Sequence, residues 1–426
     1  MTRAVVAAQA VFTLGNVLTT GGFLYYFANA LHPSAFLFSV LLITPEVSES
    51  VALFSRPIVR RLGSRKRTWL IGYTLARIVA LGIPALAFAG AHVHERLAFL
   101  LLVASLALSQ AFQSIAYTAY ISWMSDLVPR ESWGRFFALR RIANVAILVL
   151  VPAAAALLRR SWTDWRSDET VRAAYLAVFL GGNVLMSLAI IPLMRLPDRP
   201  TDWRDRALPS GWTAWMDTLH NRSVRLILVS SLWLAFAQGL TQSAFFTFQV
   251  RVLGLPLEAY LLLTALMYLL QIPGSWLGGN LSDRYGDRLP LILGLLLVSA
   301  AMAFWLLARP GAPHWLAGAY ALWGLFGLVN VCQRNLLLRT APPSDNTVPI
   351  AVLEHLAGLC AGAAGLLGGW ALDVLLAKLE SPLLPYTALF LVSWIGRASA
   401  PLWLLPVRDS QESSSIEQLS SDPRDT

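Results

Sequence analysis

Runs of about 20 apolar residues follow one another along the whole chain, and that succession decides what it can fold into. Twelve such runs are readable, at 4–30, 34–56, 68–90, 97–121, 136–158, 172–194, 224–250, 257–280, 290–308, 314–336, 348–377 and 384–406. Wound as a helix, each is long enough to cross about 30 Å of hydrocarbon. Helices are the form expected, because lipid offers no partner to an open backbone. A membrane barrel would need short alternating strands, and that pattern is not in the sequence. Only 13% of the 426 residues are charged, where a water-facing surface needs about 25%. The chain therefore reads as an all-α integral membrane protein.

Charge then orients it. The net charge of +9 could suggest nucleic acid, but the basic residues sit in short turns between apolar runs, which is a topology signal. Arg56, Arg60, Arg61, Arg65, Lys66 and Arg67 follow segment 2, Arg130 and Arg135 follow segment 4, and Arg195, Arg199, Arg204, Arg206 and Arg222 follow segment 6. The positive-inside rule puts both termini and the connection 195–223 on the cytoplasmic side of a cell (inner) membrane. Trp203, Trp212 and Trp215 suit that connection to the membrane surface, and the Ser/Asp/Glu-rich end, 407–426, is expected to be disordered. Met1-Thr2-Arg3 and the run behind it are read as an uncleaved first helix. Cys332 and Cys360 both fall in apolar segments and are expected as buried thiols without a disulfide.

Between segments 8 and 9 lies Gly279-Asn280-Leu281-Ser282-Asp283-Arg284-Tyr285-Gly286-Asp287-Arg288, a G-x-L-x-D-R-x-G-x-R pattern. It resembles the loop signature of the major facilitator superfamily (MFS) of secondary transporters. The resemblance implies twelve transmembrane helices in two pseudo-symmetric six-helix bundles, here 1–194 and 224–406, with 195–223 as linker and a site near midplane between them. Weak internal repetition agrees. Gly286 corresponds to Gly63 at a shift of about 223 residues, and Ser231, Gln238 and Gln242 fall opposite Gln9, Asn16 and Thr20. The first half departs from the signature: Arg56 and Arg60 stand where its glycine and aspartate are expected, while Arg61, Gly63 and Arg65 fit.

The family arrangement would set Asp283 and Arg284 beside the start of segment 5, where Arg140 and Arg141 lie, as a cytoplasmic gate. By the repeat, Arg60 would face Asp345 and Glu354 with polarity reversed, and Asp126 would pair with Arg61 or Arg65. The competing reading makes these residues topology determinants around ordinary tight turns.

Charged side chains at membrane depth mark either function or paired structure. Glu46 and Glu49 follow Pro45; Arg77, Glu354, His355 and Arg397 lie at comparable depth. In one reading Glu46, Glu49, Glu354 and His355 carry protons. In the other, Glu49–Arg77 and Glu354–Arg397 are structural ion pairs that carry none. Spacings of three, four and seven also place polar residues on one face of segments 1, 4, 7 and 10, the helices that line the cavity in the superfamily. The candidate solute ligands are Asn16, Thr20, Gln110, Gln113, Tyr117, Gln238, Gln242, Trp323 and Asn330, with hydrogen-bonded helix packing as the alternative. Such an amide-rich lining suits a polar neutral or amphipathic solute more than a small anion. No Walker A sequence and no His/Cys metal spacing is present, so an ATP-driven pump, an enzyme and a cofactor are not expected.

These readings converge on a proton-coupled secondary transporter working by alternating access, with efflux favoured. Its partners would be a small solute, protons and the bilayer, with no nucleic acid, and it would act as a monomer. The alternatives are a protein of this fold that handles lipids or pigments, or assists assembly, without ion coupling, and a passive facilitator.

Overall fold

The computed structural model describes residues 2–89, 93–127, 133–161, 168–198, 220–340 and 347–407. They form α1 (Thr2–Thr19, resuming as Gly21–Asn29), α2 (Ala35–Glu49, then a 3-10 turn Ser50–Phe54 and Ser55–Leu62) and α3 (Arg65–Ala80 and Gly82–Ala89). Next come α4 (Glu95–Leu127), α5 (Trp133–Ser161) and α6 (Asp168–Leu188 and Ile190–Met194). The second series is α7 (Arg222–Gly239 and Gln242–Thr247, ending in a π turn Phe248–Val252), α8 (Leu257–Tyr285) and α9 (Arg288–Leu307). It closes with α10 (Trp315–Trp323 and Phe326–Thr340), α11 (Thr347–Lys378) and α12 (Leu384–Ser399, with a 3-10 end Ala400–Leu404). Ten spans among the described residues are long and apolar enough to cross a membrane. The remaining two helices are α5, whose apolar part shortens to Ala143–Leu157, and α12, whose regular turns stop at Ser399.

The helix breaks have local causes. Pro45 lies inside α2 ahead of its 3-10 turn, and a proline lacks the N–H that the preceding turn needs. At the break in α1, the Thr20 hydroxyl donates to the Asn16 carbonyl at 2.7 Å, and Gly21 takes φ 57°, a value glycine adopts without strain.

The described residues divide into two compact units. The first comprises those of Met1–Arg206 together with Leu255–Ala265; the second comprises those of Ala207–Gly254 and Leu266–Thr426. The first packs Trp69, Tyr73, Tyr120, Trp123 and Met124 into one apolar cluster. There α1 and α6 meet backbone to backbone: a Cβ placed on Gly15 would lie 2.3 Å from the Gly182 carbonyl oxygen. Only small residues permit such an approach. In the second unit Leu291, Val298, Leu328, Val329 and Leu336 share a core, beside a knot of Phe245, Trp305, Trp323 and Phe390. The outside is apolar as well, with Phe88 77% exposed and Trp276 and Ile395 each 70% exposed. Such a surface belongs against lipid rather than water. Cys332 and Cys360 are free thiols.

Candidate functional site: a polar cavity and two charged turns

In the first unit, four of the expected solute ligands come together. Asn16 and Thr20 of α1 and Gln110 and Gln113 of α4 line a cavity of about 70 Å³ with Arg77 of α3 and Phe179 of α6. A neighbouring cavity of about 60 Å³ is lined by Gln9, Phe12, Trp69, Tyr73, Tyr117 and Tyr120. Phe12 and Gln113 line both. Tyr117, half exposed, stacks on Tyr120 with ring centroids 6.4 Å apart. Gln9 is committed locally: it donates to Thr13 at 3.1 Å, and Thr13 donates to Asn144 of α5 at 2.7 Å.

Arg77 was expected as a possible partner of Glu49. Instead its Nη2 donates to the Gln113 side-chain oxygen at 3.0 Å and its Nη1 approaches Met186 Sδ at 2.7 Å. Its guanidinium lies 5.3 Å from the Tyr73 ring centroid. Glu49 is exposed on α2, where its backbone carbonyl accepts from Ser114. Arg77 reaches inward from α3 toward α4 and α6, so α2 does not supply its acceptor.

The other expected ligands belong to the second unit. Gln238 is half-buried with no partner at Nε2, and Gln242 begins the helix resumed after the break in α7. Trp323 is part of the aromatic knot, where its Nε1 has no acceptor. Asn330 is exposed on α10. Arg397 of α12, 3% exposed, donates from Nε to Ser393 at 2.9 Å and from Nη2 to Thr241 at 3.1 Å, and lies 5.3 Å from the Phe245 ring centroid.

Glu46 is half-buried on α2 with Oε2 lacking a partner. His355 is half-buried on α11. The side chains of Glu354, Asp126, Arg140 and Arg141, and residue Asp345, lie outside the described residues, and the pairings expected of them lie there too.

Gly63 and Gly286 both adopt positive φ, 67° and 75°, so each ends its helix in a left-handed turn. Around them Arg60, Arg61, Asp283 and Arg284 are exposed, with Arg284 over the Tyr285 ring at 5.4 Å. Two charges beside the turns are buried: Arg65, whose Nη1 donates to the Ser122 carbonyl at 3.1 Å, and an acid that the sequence reading did not single out. Asp287 is 0% exposed, accepts the Ser282 hydroxyl, and pairs with Arg339 Nε of α10 at 3.1 Å. Its signal in the sequence was positional: it follows the turn glycine at the start of α9, where Ser64 follows Gly63.

A helical bundle of apolar exterior, broken membrane helices and a small amide-lined interior cavity defines the class of polytopic membrane transporters. The family model described as Major Facilitator Superfamily matches residues 5–371, and the chain belongs to that family. The fold is likewise that of solved MFS structures. A D-xylose–proton symporter superposes with TM-score 0.68 at 16% identity, covering 95% of this chain and 97% of that one. A point mutant of the nucleoside transporter NupG gives TM-score 0.68 at 13% identity, covering 95% and 98%. A bacterial homologue of the human lysosomal transporter Spinster, inward-facing and unoccupied, gives 0.65 at 14% identity, covering 95% and 94%. No curated protein matches the chain by sequence.

Proposed function

We propose that this MFS transporter is a secondary active, proton-coupled carrier of an amphipathic solute, moved outward by alternating access. The observation that carries the reading is the convergence of the polar faces of α1 and α4 on one cavity, at Asn16, Thr20, Gln110 and Gln113. Proton coupling is supported by Glu46, whose buried Oε2 lacks a hydrogen-bond partner. A carboxylate fixed in an ion pair would hold its charge throughout the cycle; Glu46 is not so fixed in this conformation. A solved structural neighbour is itself a proton symporter. The arginine-rich turns favour cytoplasmic termini in a cell membrane. In this reading Asp283 and Arg284 act with Arg140, Arg60 with Glu354, and Asp126 with Arg61 or Arg65 as the inner gate, and Gln238, Gln242, Trp323 and Asn330 belong to the solute path.

Purified protein in proteoliposomes tests this reading. Solute flux should collapse when the pH gradient is abolished, and Glu46→Gln should uncouple it. Gradient-independent flux would instead make the protein a facilitator.

A further inference from the structure

We propose that the cavity beside Arg77 receives the carboxylate of an amphipathic organic anion, with the solute's apolar body lying along the neighbouring aromatic cavity. The proposal rests on the transporter reading above and narrows its solute class.

A cation inside a membrane protein is costly unless an opposite charge offsets it. Arg77 is 8% exposed, and among the described residues no carboxylate reaches it. Its acceptors are neutral: the Gln113 amide oxygen, and the Met186 thioether, which is a weak acceptor. Its Nε is buried with no acceptor at all. Asn183 of α6, 3% exposed, donates Nδ2 to the Arg77 carbonyl at 3.0 Å and so holds the arginine's helix in place. The result is a fixed positive charge with donors to spare at the wall of a cavity. Asn16 and Gln110 add amides there, and a carboxylate is what such a fork of N–H groups binds best.

The size of the site fixes the rest of the solute. About 70 Å³ holds a head group and little more. The body must continue past Phe12 and Gln113 into the adjoining cavity, whose Trp69, Tyr73, Tyr117 and Tyr120 offer aromatic faces.

The opposing explanation is that Arg77 simply clamps α3 to α4 and α6. Arg397 shows such a clamp, its Nε and Nη2 both donating to hydroxyls. The two explanations differ over the empty protein. A clamp loses stability when removed; a receptor charge held without a counter-ion does not.

The test uses the full chain in lipid nanodiscs and reads its thermal midpoint with benzoate, 4-phenylbutyrate, their amides benzamide and 4-phenylbutyramide, and inorganic phosphate. The carboxylates should raise the midpoint, 4-phenylbutyrate most, while the amides and phosphate should not. Arg77→Met should abolish the response and leave the ligand-free midpoint at or above that of the wild type. Asn16→Leu, which leaves Arg77 in place, should weaken the apparent affinity roughly tenfold, the loss of one good hydrogen bond to a charged group. An equal response to the amides or to phosphate, no response to any carboxylate, a response that survives Arg77→Met, or a markedly lower ligand-free midpoint in that variant would each overturn the proposal. Failure of the transporter reading is separable: it would appear as no flux of any neutral or anionic solute in proteoliposomes. Flux of a neutral solute through the wild-type protein, with no carboxylate raising its midpoint, would leave transport standing and overturn only the anion site.

Discussion

The turns at Gly63 and Gly286 perform one task with different chemistry. In each, the chain leaves a helix in a left-handed step and at once starts the third helix of its half. In each, a basic residue just past the turn reaches the carbonyls that end the sixth helix: Lys66 Nζ donates to the Met194 and Leu196 carbonyls at 2.7 and 2.6 Å, and Arg288 donates to those of Leu404 and Leu405. The difference lies in the residue after the glycine. Ser64 keeps its hydroxyl as a helix cap, accepting from the Arg67 N–H at 3.0 Å, and donates to Asp198 at 2.6 Å. Asp287 brings the carboxylate into the turn itself, wholly buried, and takes Arg339 as counter-ion. One half holds its corner with a neutral cap hydrogen-bonded to an acid just past the sixth helix; the other holds it with a buried ion pair. The second arrangement should be the more fragile, because removing either member strands a charge.

That contrast can be broken by measuring unfolding midpoints in mixed micelles. Asp287→Asn should have the largest effect, about 2–3 kcal/mol, at or below the lower end of the range for a buried pair because Arg339 is 31% exposed and can turn to solvent. An effect below that of Ser64→Ala would end the distinction between the two corners. Gly286→Ala and Gly63→Ala should each cost about 1–2 kcal/mol, since both hold left-handed backbone; equal losses would show that the turns differ only in their following residue. Ser64→Ala should cost about 1 kcal/mol through the lost cap. Lys66→Gln should cost about 0.5 kcal/mol, in the range of single polar contacts in membrane proteins, and a value above that of Ser64→Ala would make the lysine, not the cap, the main tie.

The legible part of this molecule was its periodicity. Apolar runs of bilayer length, the G-x-L-x-D-R-x-G-x-R turn and the shift between Gly63 and Gly286 carried the fold and family. Polar spacing carried the wall of the first-unit cavity, because Asn16 and Thr20, or Gln110 and Gln113, share a helix face at any level of detail. What spacing could not convey was which way a long side chain turns. Arg77 could have met Glu49 on α2 by depth alone; its inward reach to Gln113 and Met186 depends on how α3, α4 and α6 pack. For the same reason the exposed pair Asp283 and Arg284 drew attention before Asp287, whose importance comes from a partner 52 positions away on α10.

The bare contact between Gly15 and Gly182 has a consequence for the cavity one residue further on. With no side chain between them, α1 cannot come nearer to α6 without backbone striking backbone. Asn16 is therefore presented to the interior by a hard stop rather than by adjustable rotamers. A methyl group at position 15 would act as a shim, and the first thing it would change is the width of the pocket in which a solute must fit.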